Sequence, residues 1–297
     1  MKKLIIGTRG SELALTQTSM VKAELLQIHP DLQIEIRPIK TSGDIFKDAV
    51  LADIGGKELF TKEIDQQLFD GTIDIAIHSL KDVPGIISPA QQIIATLPRG
   101  DARDALIGVK SIDDLPHGAV VGSASPRRKA QLLHIRPDLD VINFRGNVQT
   151  RIKKVGDKQV ACTLLAMAGM DRLNLNIERH PLTTSEMLPC AGQGTISIAA
   201  RSDDHATIKL VSAISHQETF IAATAERAVL ATYNGNCQTP IAAYALIKNN
   251  ELILDALIAS TDGRQIFRAS VQGKTSDAEK IGTKMGEKLL ENSRGFA

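Results

Sequence analysis

Apolar residues along this chain recur with two periods, and the switches between them mark its organisation. Short β-branched runs read as strands at Lys2 to Gly7, at the alternating Ile34 and Ile36, at Thr72 to Ile77 and at Ile93 to Leu97. Helical spacing lies between them. Ser11 to His29 reads as a helix with Leu13, Met20, Val21, Leu25 and Ile28 on its apolar side, and about Lys57 to Phe69 as another, with Phe60, Ile64 and Leu68 four apart. The polar, glycine-containing stretch from Asp44 to Gly56 has neither period and is the expected lid.

Pro98-Arg99-Gly100-Asp101 interrupts the pattern, and the same grammar then repeats. Strands are expected at Ala119 to Gly122, Val141 to Phe144 and Val160 to Leu165, with helices opening after Ser125-Pro126, after Arg145-Gly146-Asn147 and at Ala166 to Leu173. After Gly192-Gln193-Gly194 the strand Thr195 to Ala200 follows. Those glycines precede a strand, so they do not make a dinucleotide loop. A long helix from His216 to Thr232 leads into Asn234-Gly235-Asn236-Cys237. Three antiparallel strands follow at Ile241 to Lys248, Leu252 to Ser260 and Gln265 to Val271, joined by turns at Asn249-Asn250 and Asp262-Gly263, and Ser276 with Glu279 forms a capping box for a last helix.

Composition narrows the function classes. Thirty-five basic residues against 34 acidic ones leave no bulk charge for a nucleic-acid or membrane surface, so any basic site must be local. The apolar run at the N-terminus spans three residues, too short for a signal peptide, and a cytoplasmic protein is expected. Cys162, Cys190 and Cys237 form no CxxC pair and the histidines no HxH or HxxxH spacing, so neither a disulfide framework nor a metal site is expected.

The local charge is more telling. Arg9, Arg127, Arg128 and Arg145 each stand where a strand gives way to a helix, and Arg151 and Arg172 follow within helices. Helix N-termini are already partly positive, so guanidinium groups there ask for an anion, and six of them ask for several negative charges. His78-Ser79-Leu80-Lys81-Asp82-Val83-Pro84 sits at the C-terminal end of a buried strand, the edge where open α/β sheets bind ligands. An isolated Lys-Asp pair is ordinarily solvated surface. A carboxylate in an anion-binding cleft is instead suited to stabilising positive charge that develops on the ligand.

The chain resembles the porphobilinogen deaminase, or hydroxymethylbilane synthase, family from its N-terminus to its last helix. The marks are Thr8-Arg9-Gly10-Ser11, Gly55-Gly56-Lys57 with Leu59-Phe60, the segment from His78 to Pro84, Arg103-Asp104-Ala105, Arg127-Arg128, Arg145-Gly146-Asn147-Val148 with Thr150-Arg151, Leu188-Pro189 with Gly192-Gln193-Gly194, Glu226-Arg227, and Cys237-Gln238 with Pro240. The resemblance implies two α/β domains like the halves of a type II periplasmic binding protein, at 1–98 with 195–214 and at 99–194, and a small α+β domain with a three-stranded antiparallel sheet at 215–297. It implies a transferase that joins four porphobilinogen molecules head to tail with loss of ammonia, on a dipyrromethane cofactor held by a thioether to Cys237, before water releases the linear tetrapyrrole.

By motif, Asp82 and Lys81 are the implied catalytic residues. Ser123, Ser125, Arg127 and Arg128, with Lys81 and Asp82, would hold the cofactor. Arg9, Ser11, Arg145, Arg151 and Arg172 would hold substrate and growing chain. Porphobilinogen is the one implied partner, and a monomer the implied state, with no nucleic acid or membrane. Departures from the family pattern are Asn236 before the cysteine with Thr239 after it, Ala124 and Pro126 around the Arg-Arg turn, and Ala199-Ala200-Arg201 in place of a glutamate-bearing strand end; the stretch Asp157 to Thr163 lacks the usual Tyr-Asp. Two other readings stay open: a two-lobed binding protein for a small dicarboxylate, and an inactive homologue.

Overall fold

The computed structural model describes residues 3–45, 60–233 and 239–296. The expected lid therefore lies largely outside the described residues, and so does Cys237. The first sequence unit contains β1 (Lys3–Arg9), α1 (Glu12–Ile28), β2 (Gln33–Ile39), the short α2 (Ser42–Ile45), α3 (Lys62–Phe69), β3 (Ile75–Ser79) and β4 (Gln91–Thr96). The second contains β5 (Asp104–Ile107), β6 (Val120–Gly122), α4 (Pro126–Ile135), β7 (Asp140–Ile142), α5 (Val148–Gly156), β8 (Cys162–Ala166), α6 (Met167–Arg172) and β9 (His180–Pro181). The chain then returns through β10 (Ile196–Arg201) and α7 (His205–Val211). It finishes with α8 (Gln217–Tyr233), β11 (Ile241–Lys248), β12 (Glu251–Ala259), β13 (Ile266–Lys274) and α9 (Ala278–Asn292).

Two five-stranded sheets share one plan. Their orders are β2-β1-β3-β10-β4 and β7-β6-β8-β5-β9, each with parallel strands on one side and one antiparallel insertion. In each sheet the inserted strand, β10 or β5, is the one that arrives directly from the other unit. This is the paired-lobe arrangement that the family resemblance implies. The crossing segments lie against each other, with the Gly100 amide donating to the Gly194 carbonyl at 3.0 Å and the Leu97 amide to the Ile196 carbonyl at 3.3 Å.

The glycine pair makes that crossing possible. Gly192 and Gly194 have φ of +73° and +86°, where an L side chain is strained, and a Cβ on them would stand 2.7 Å from Leu80 Cγ and 2.6 Å from the Gly100 carbonyl oxygen. A buried ion pair sits at the same junction. Arg99 holds Glu226 of α8 at 2.6 Å and donates to the Gln193 carbonyl at 2.9 Å, while Glu226 accepts the amides of Gly192 at 2.6 Å and Ala245 at 2.7 Å. All four of these groups meet on one carboxylate or its partner, so both crossings, α8 and β11 are tied at a single point.

Each sheet has its own apolar core. Leu4, Ile6, Ile75, Ile77 and Ile196 with Val21 and Leu25 fill the first, and Leu106, Val121, Leu132, Val141 and Leu164 the second. A third cluster joins α8 and α9 to the antiparallel sheet β11-β12-β13. The hairpin between β11 and β12 turns at Asn249 and Asn250, both in the left-handed region at φ 53° and 63°, as a two-residue turn requires. No helix among the described residues is long and apolar enough to cross a membrane.

Several local expectations need correction. On α1, Val21 and Leu25 are buried but Met20 and Ile28 are exposed, because Gln17 and Thr18 complete the inner face. Among the described residues the second helix starts at Lys62, leaving Phe60 in the preceding turn. Ser276 falls within a 3-10 turn, Thr275–Asp277, so α9 starts at Ala278 without the expected capping box. Strand β5 and helix α7 carried too few residues of clear period to be read from sequence.

Candidate active site

The Lys81-Asp82 pair projects from the C-terminal end of β3 on a 3-10 turn, Leu80–Asp82. Two contacts set that turn. The Leu80 amide donates to the Thr195 carbonyl at 3.0 Å, and the Ser79 hydroxyl bonds the Gln17 amide of α1 at 2.9 Å. Leu80 is buried while Lys81 and Asp82 are exposed, so the turn is anchored by its apolar residue and offers its charges outward. Among the described residues nothing pairs directly with the Asp82 carboxylate by hydrogen bond or ion pair.

Water reaches Lys81, yet protein surrounds it, as on the floor of a cleft. Loss of hydration there pushes its ammonium below the usual lysine range, against the pull of Asp82. Water that still reaches the ammonium weakens this effect. Arg128 and Asp104 of the second unit also act on Lys81 electrostatically, which places the two lobes' ligand edges face to face. Across the mouth, Gln149 of α5 donates to Glu12 of α1 at 2.7 Å.

On the facing lobe, α4 begins as the sequence implies. Ser125 is its N-cap, accepting the Arg128 amide at 3.4 Å, with Pro126 in the first turn, and the Ser123 hydroxyl accepts the Ser125 amide at 3.2 Å. Ser11 caps α1 in the same way from the Ala14 amide at 3.3 Å. A hydroxyl that accepts in a cap still has its own hydrogen to donate.

The two arginines of α4 are buried, and both bind Asp104. Arg127 pairs with one carboxylate oxygen and Arg128 with the other at 2.6 Å, while Gln193 donates to Asp104 at 2.9 Å and to the Ala102 carbonyl at 2.7 Å. Burial raises the Asp104 pKa, and the two guanidinium groups more than reverse this, holding it well below the carboxylate range. Sequence reading had quoted Asp104 and Gln193 only as motif letters. Nothing in their spacing announces that one carboxylate fixes both arginines, since β5 reaches α4 only through the folded sheet.

The remaining arginines divide into two groups. Arg151 on α5 is pushed down to about 10 by burial and by Arg128, and Arg172 on α6 to about 10 by burial. Arg172 donates to the Gly194 carbonyl at 2.6 Å. Arg9 ends β1 level with His78 by strand register and stacks 4.3 Å over Phe60, and Arg145 follows β7 at the same edge of its sheet. Both of these keep other contacts of their own.

Charge in the cleft is therefore unbalanced. Lys81, Arg127, Arg128 and Arg151 act on Asp82 and Asp104, while Arg172 feels Asp171, and the buried Nε groups of Arg127, Arg128 and Arg151 have no hydrogen-bond partner among the described residues. Such a donor set fits a ligand with several carboxylates, as a dipyrromethane has. Cys190 joins this cluster, half-buried with its Sγ 3.5 Å from Gln193 Oε1. Cys162 does not: buried in β8, its thiol is pushed up to about 12, which makes it an inert core residue.

Comparison with known proteins agrees with this geometry. Residues 4–209 match the family model described as "Porphobilinogen deaminase, dipyromethane cofactor binding domain", and residues 220–291 match "Porphobilinogen deaminase, C-terminal domain". The chain belongs to the porphobilinogen deaminase family. It is 43% identical to the porphobilinogen deaminase of Trichlorobacter lovleyi over 97% of this chain and 93% of that one. It is 46% identical to the chloroplastic porphobilinogen deaminase of Pisum sativum over 97% of this chain and 81% of that one, and 41% identical to the Clostridioides difficile protein over 99% of both. Among solved structures it is similar to the periplasmic aliphatic sulphonate binding protein SsuA from Escherichia coli, with 15% identity and a TM-score of 0.43 over 78% of this chain and 70% of that one. Of the departures from the family pattern, Arg201 has a visible use: it donates to the carbonyls of Leu68 at 2.9 Å and Ile73 at 2.8 Å, tying the end of α3 to β10.

Proposed function

We propose that this chain is a hydroxymethylbilane synthase, a transferase that condenses four porphobilinogen molecules head to tail with release of ammonia and frees the linear tetrapyrrole by hydrolysis. The observation that carries the reading is the facing pair of edges: a turn offering Asp82 without a protein partner, opposite a guanidinium cluster with three unsatisfied buried donors. A dipyrromethane cofactor, joined by a thioether to Cys237, supplies the primer on which the chain is built. Ser123, Ser125, Arg127 and Arg128 hold its carboxylates. Arg151 and Arg172, with Arg9, Ser11 and Arg145, hold the acetate and propionate groups of the substrate and the growing product.

Asp82 is the charge that does not match its surroundings. Its negative charge stabilises the positive charge that develops on a pyrrole ring as ammonia departs, and a carboxylate in reach of pyrrole N–H groups can accept and return a proton. Lys81 balances that carboxylate between turnovers. We place the domain boundaries at 98–99, 194–195 and 214–215, following the crossings between the sheets. A cytoplasmic monomer is the proposed form; apart from Met20 and Ile28 on α1, the large exposed apolar side chains of the described residues, such as Phe69, Ile142 and Leu290, lie on separate elements.

Intact mass spectrometry tests the reading. The purified chain is expected to carry an excess of two condensed pyrrole units and to consume porphobilinogen with release of ammonia, and Cys237→Ser is expected to lack both. A chain with neither the added mass nor turnover overturns the proposal.

A further inference from the structure

A second arginine site lies away from the cleft. Arg227, on α8, is mostly buried against the loop that follows the Lys81-Asp82 turn; among the described residues its Nη2 donates to the Gly85 carbonyl at 3.2 Å and its buried Nη1 has no partner. Among the described residues no carboxylate pairs with it, and burial pushes it down to about 10, so it stays charged at neutral pH. A desolvated cation left this way is costly unless something compensates it.

The surroundings have room for a ligand. A groove of about 540 Å³ runs between β4 and α8, with Ile87, Ile93 and Phe220 as apolar walls and Leu80 also in its lining. Gln91 also lines it, is only 8% exposed, and has a buried Oε1 with no hydrogen-bond partner. An orphan donor on Arg227 and an orphan acceptor on Gln91 thus share one apolar groove. Two unsatisfied polar groups of opposite kind in one pocket point to a ligand that meets both.

We propose that this groove binds a small amphipathic monocarboxylate that carries an N–H or O–H group, its carboxylate on the Arg227 guanidinium, its donor on the Gln91 side-chain amide and its apolar body against Ile87, Ile93 and Phe220. Glu279 of α9 also lines the groove and is exposed, and it disfavours a second negative charge on the ligand. That separates this site from the active cleft, which takes polycarboxylates. Leu80 in the groove's lining anchors the turn bearing Lys81 and Asp82, so an occupant here touches the support of the catalytic carboxylate.

The probe is indole-3-acetate, which has one carboxylate and one N–H donor. The chain contains no tryptophan, so the indole emission is read without protein background. Titrated with the cofactor-loaded full chain, it is expected to bind saturably. Arg227→Gln is expected to weaken binding about ten-fold or more, the loss of a charge-assisted hydrogen bond, and Gln91→Leu about three-fold or more. Arg151→Gln, in the active cleft, is expected to leave it unchanged. If Arg227→Gln fails to fold by circular dichroism, Thr224→Phe decides instead, because it fills the groove from the α8 wall while keeping the arginine, and is expected to abolish binding. No saturable binding, binding that survives Arg227→Gln or Thr224→Phe, or binding lost in Arg151→Gln overturns the site.

Discussion

Two carboxylates of the cleft have opposite jobs, and their environments say which is which. Asp104 is buried with both oxygens committed to Arg127 and Arg128, whereas Asp82 is exposed without a partner among the described residues. Asp82→Asn is expected to fold with its stability unchanged within about 0.5 kcal/mol, yet to turn over porphobilinogen about a hundred-fold or more slowly. Asp104→Asn is expected to cost about 3 to 5 kcal/mol, read by urea denaturation, because it leaves two buried guanidinium groups unbalanced. The sign of the pH dependence follows. The folded pKa of Asp104 lies below its unfolded value, so its contribution is complete above about pH 4 and is withdrawn only as the pH falls toward the folded value. Wild-type stability should therefore be flat from this source through the neutral range. A stability difference between wild type and Asp104→Asn that faded near pH 7 would overturn the clamp.

At the scale of elements, the paired crossings decide where the Lys81-Asp82 turn sits. Gly192 packs against the Leu80 side chain and backbone from a left-handed φ, so Gly192→Ala combines strain with a clash against the residue that anchors the turn. It is expected to cost about 1 to 3 kcal/mol and to lower turnover by more than the folded fraction accounts for, measured by activity per folded molecule. Turnover per folded molecule equal to wild type would show that the turn does not depend on this contact. The same elements show what was legible in the sequence. Helix α4 could be placed from Ser125-Pro126 and the β11-β12 hairpin from Asn249-Asn250, because a cap and a two-residue turn are set by neighbours in the chain. Met20 does not reach the inner face of α1 because Gln17 and Thr18 are buried there; Thr18 is satisfied locally by the Ala14 carbonyl, but Gln17 by Ser79, 62 residues away. Asp104 escaped for the same reason: a strand of four residues has too little pattern to announce itself, and its two arginines come from another element.

For the whole molecule the consequence is electrostatic. Two lobes face each other across a cleft where Lys81 and three arginines meet two aspartates, so closing the apo chain brings like charges together in a low-dielectric space. Bound carboxylates remove that repulsion, and screening by salt should partly substitute for them, since the Debye length falls from roughly 14 Å at 0.05 M to roughly 4 Å at 0.5 M. The Cys237→Ser chain, lacking the cofactor, is therefore expected to melt lower than the loaded chain in dilute buffer and to recover a few degrees in 0.5 M sodium chloride, a gain on the order of 1 to 2 kcal/mol. The loaded chain should gain less over the same range, because its cations already have partners. Differential scanning calorimetry on both chains reads this directly. Equal salt gains in the two would mean that the cationic cluster is solvated outside the cleft, and the reading of these residues as a carboxylate cage would fall with it.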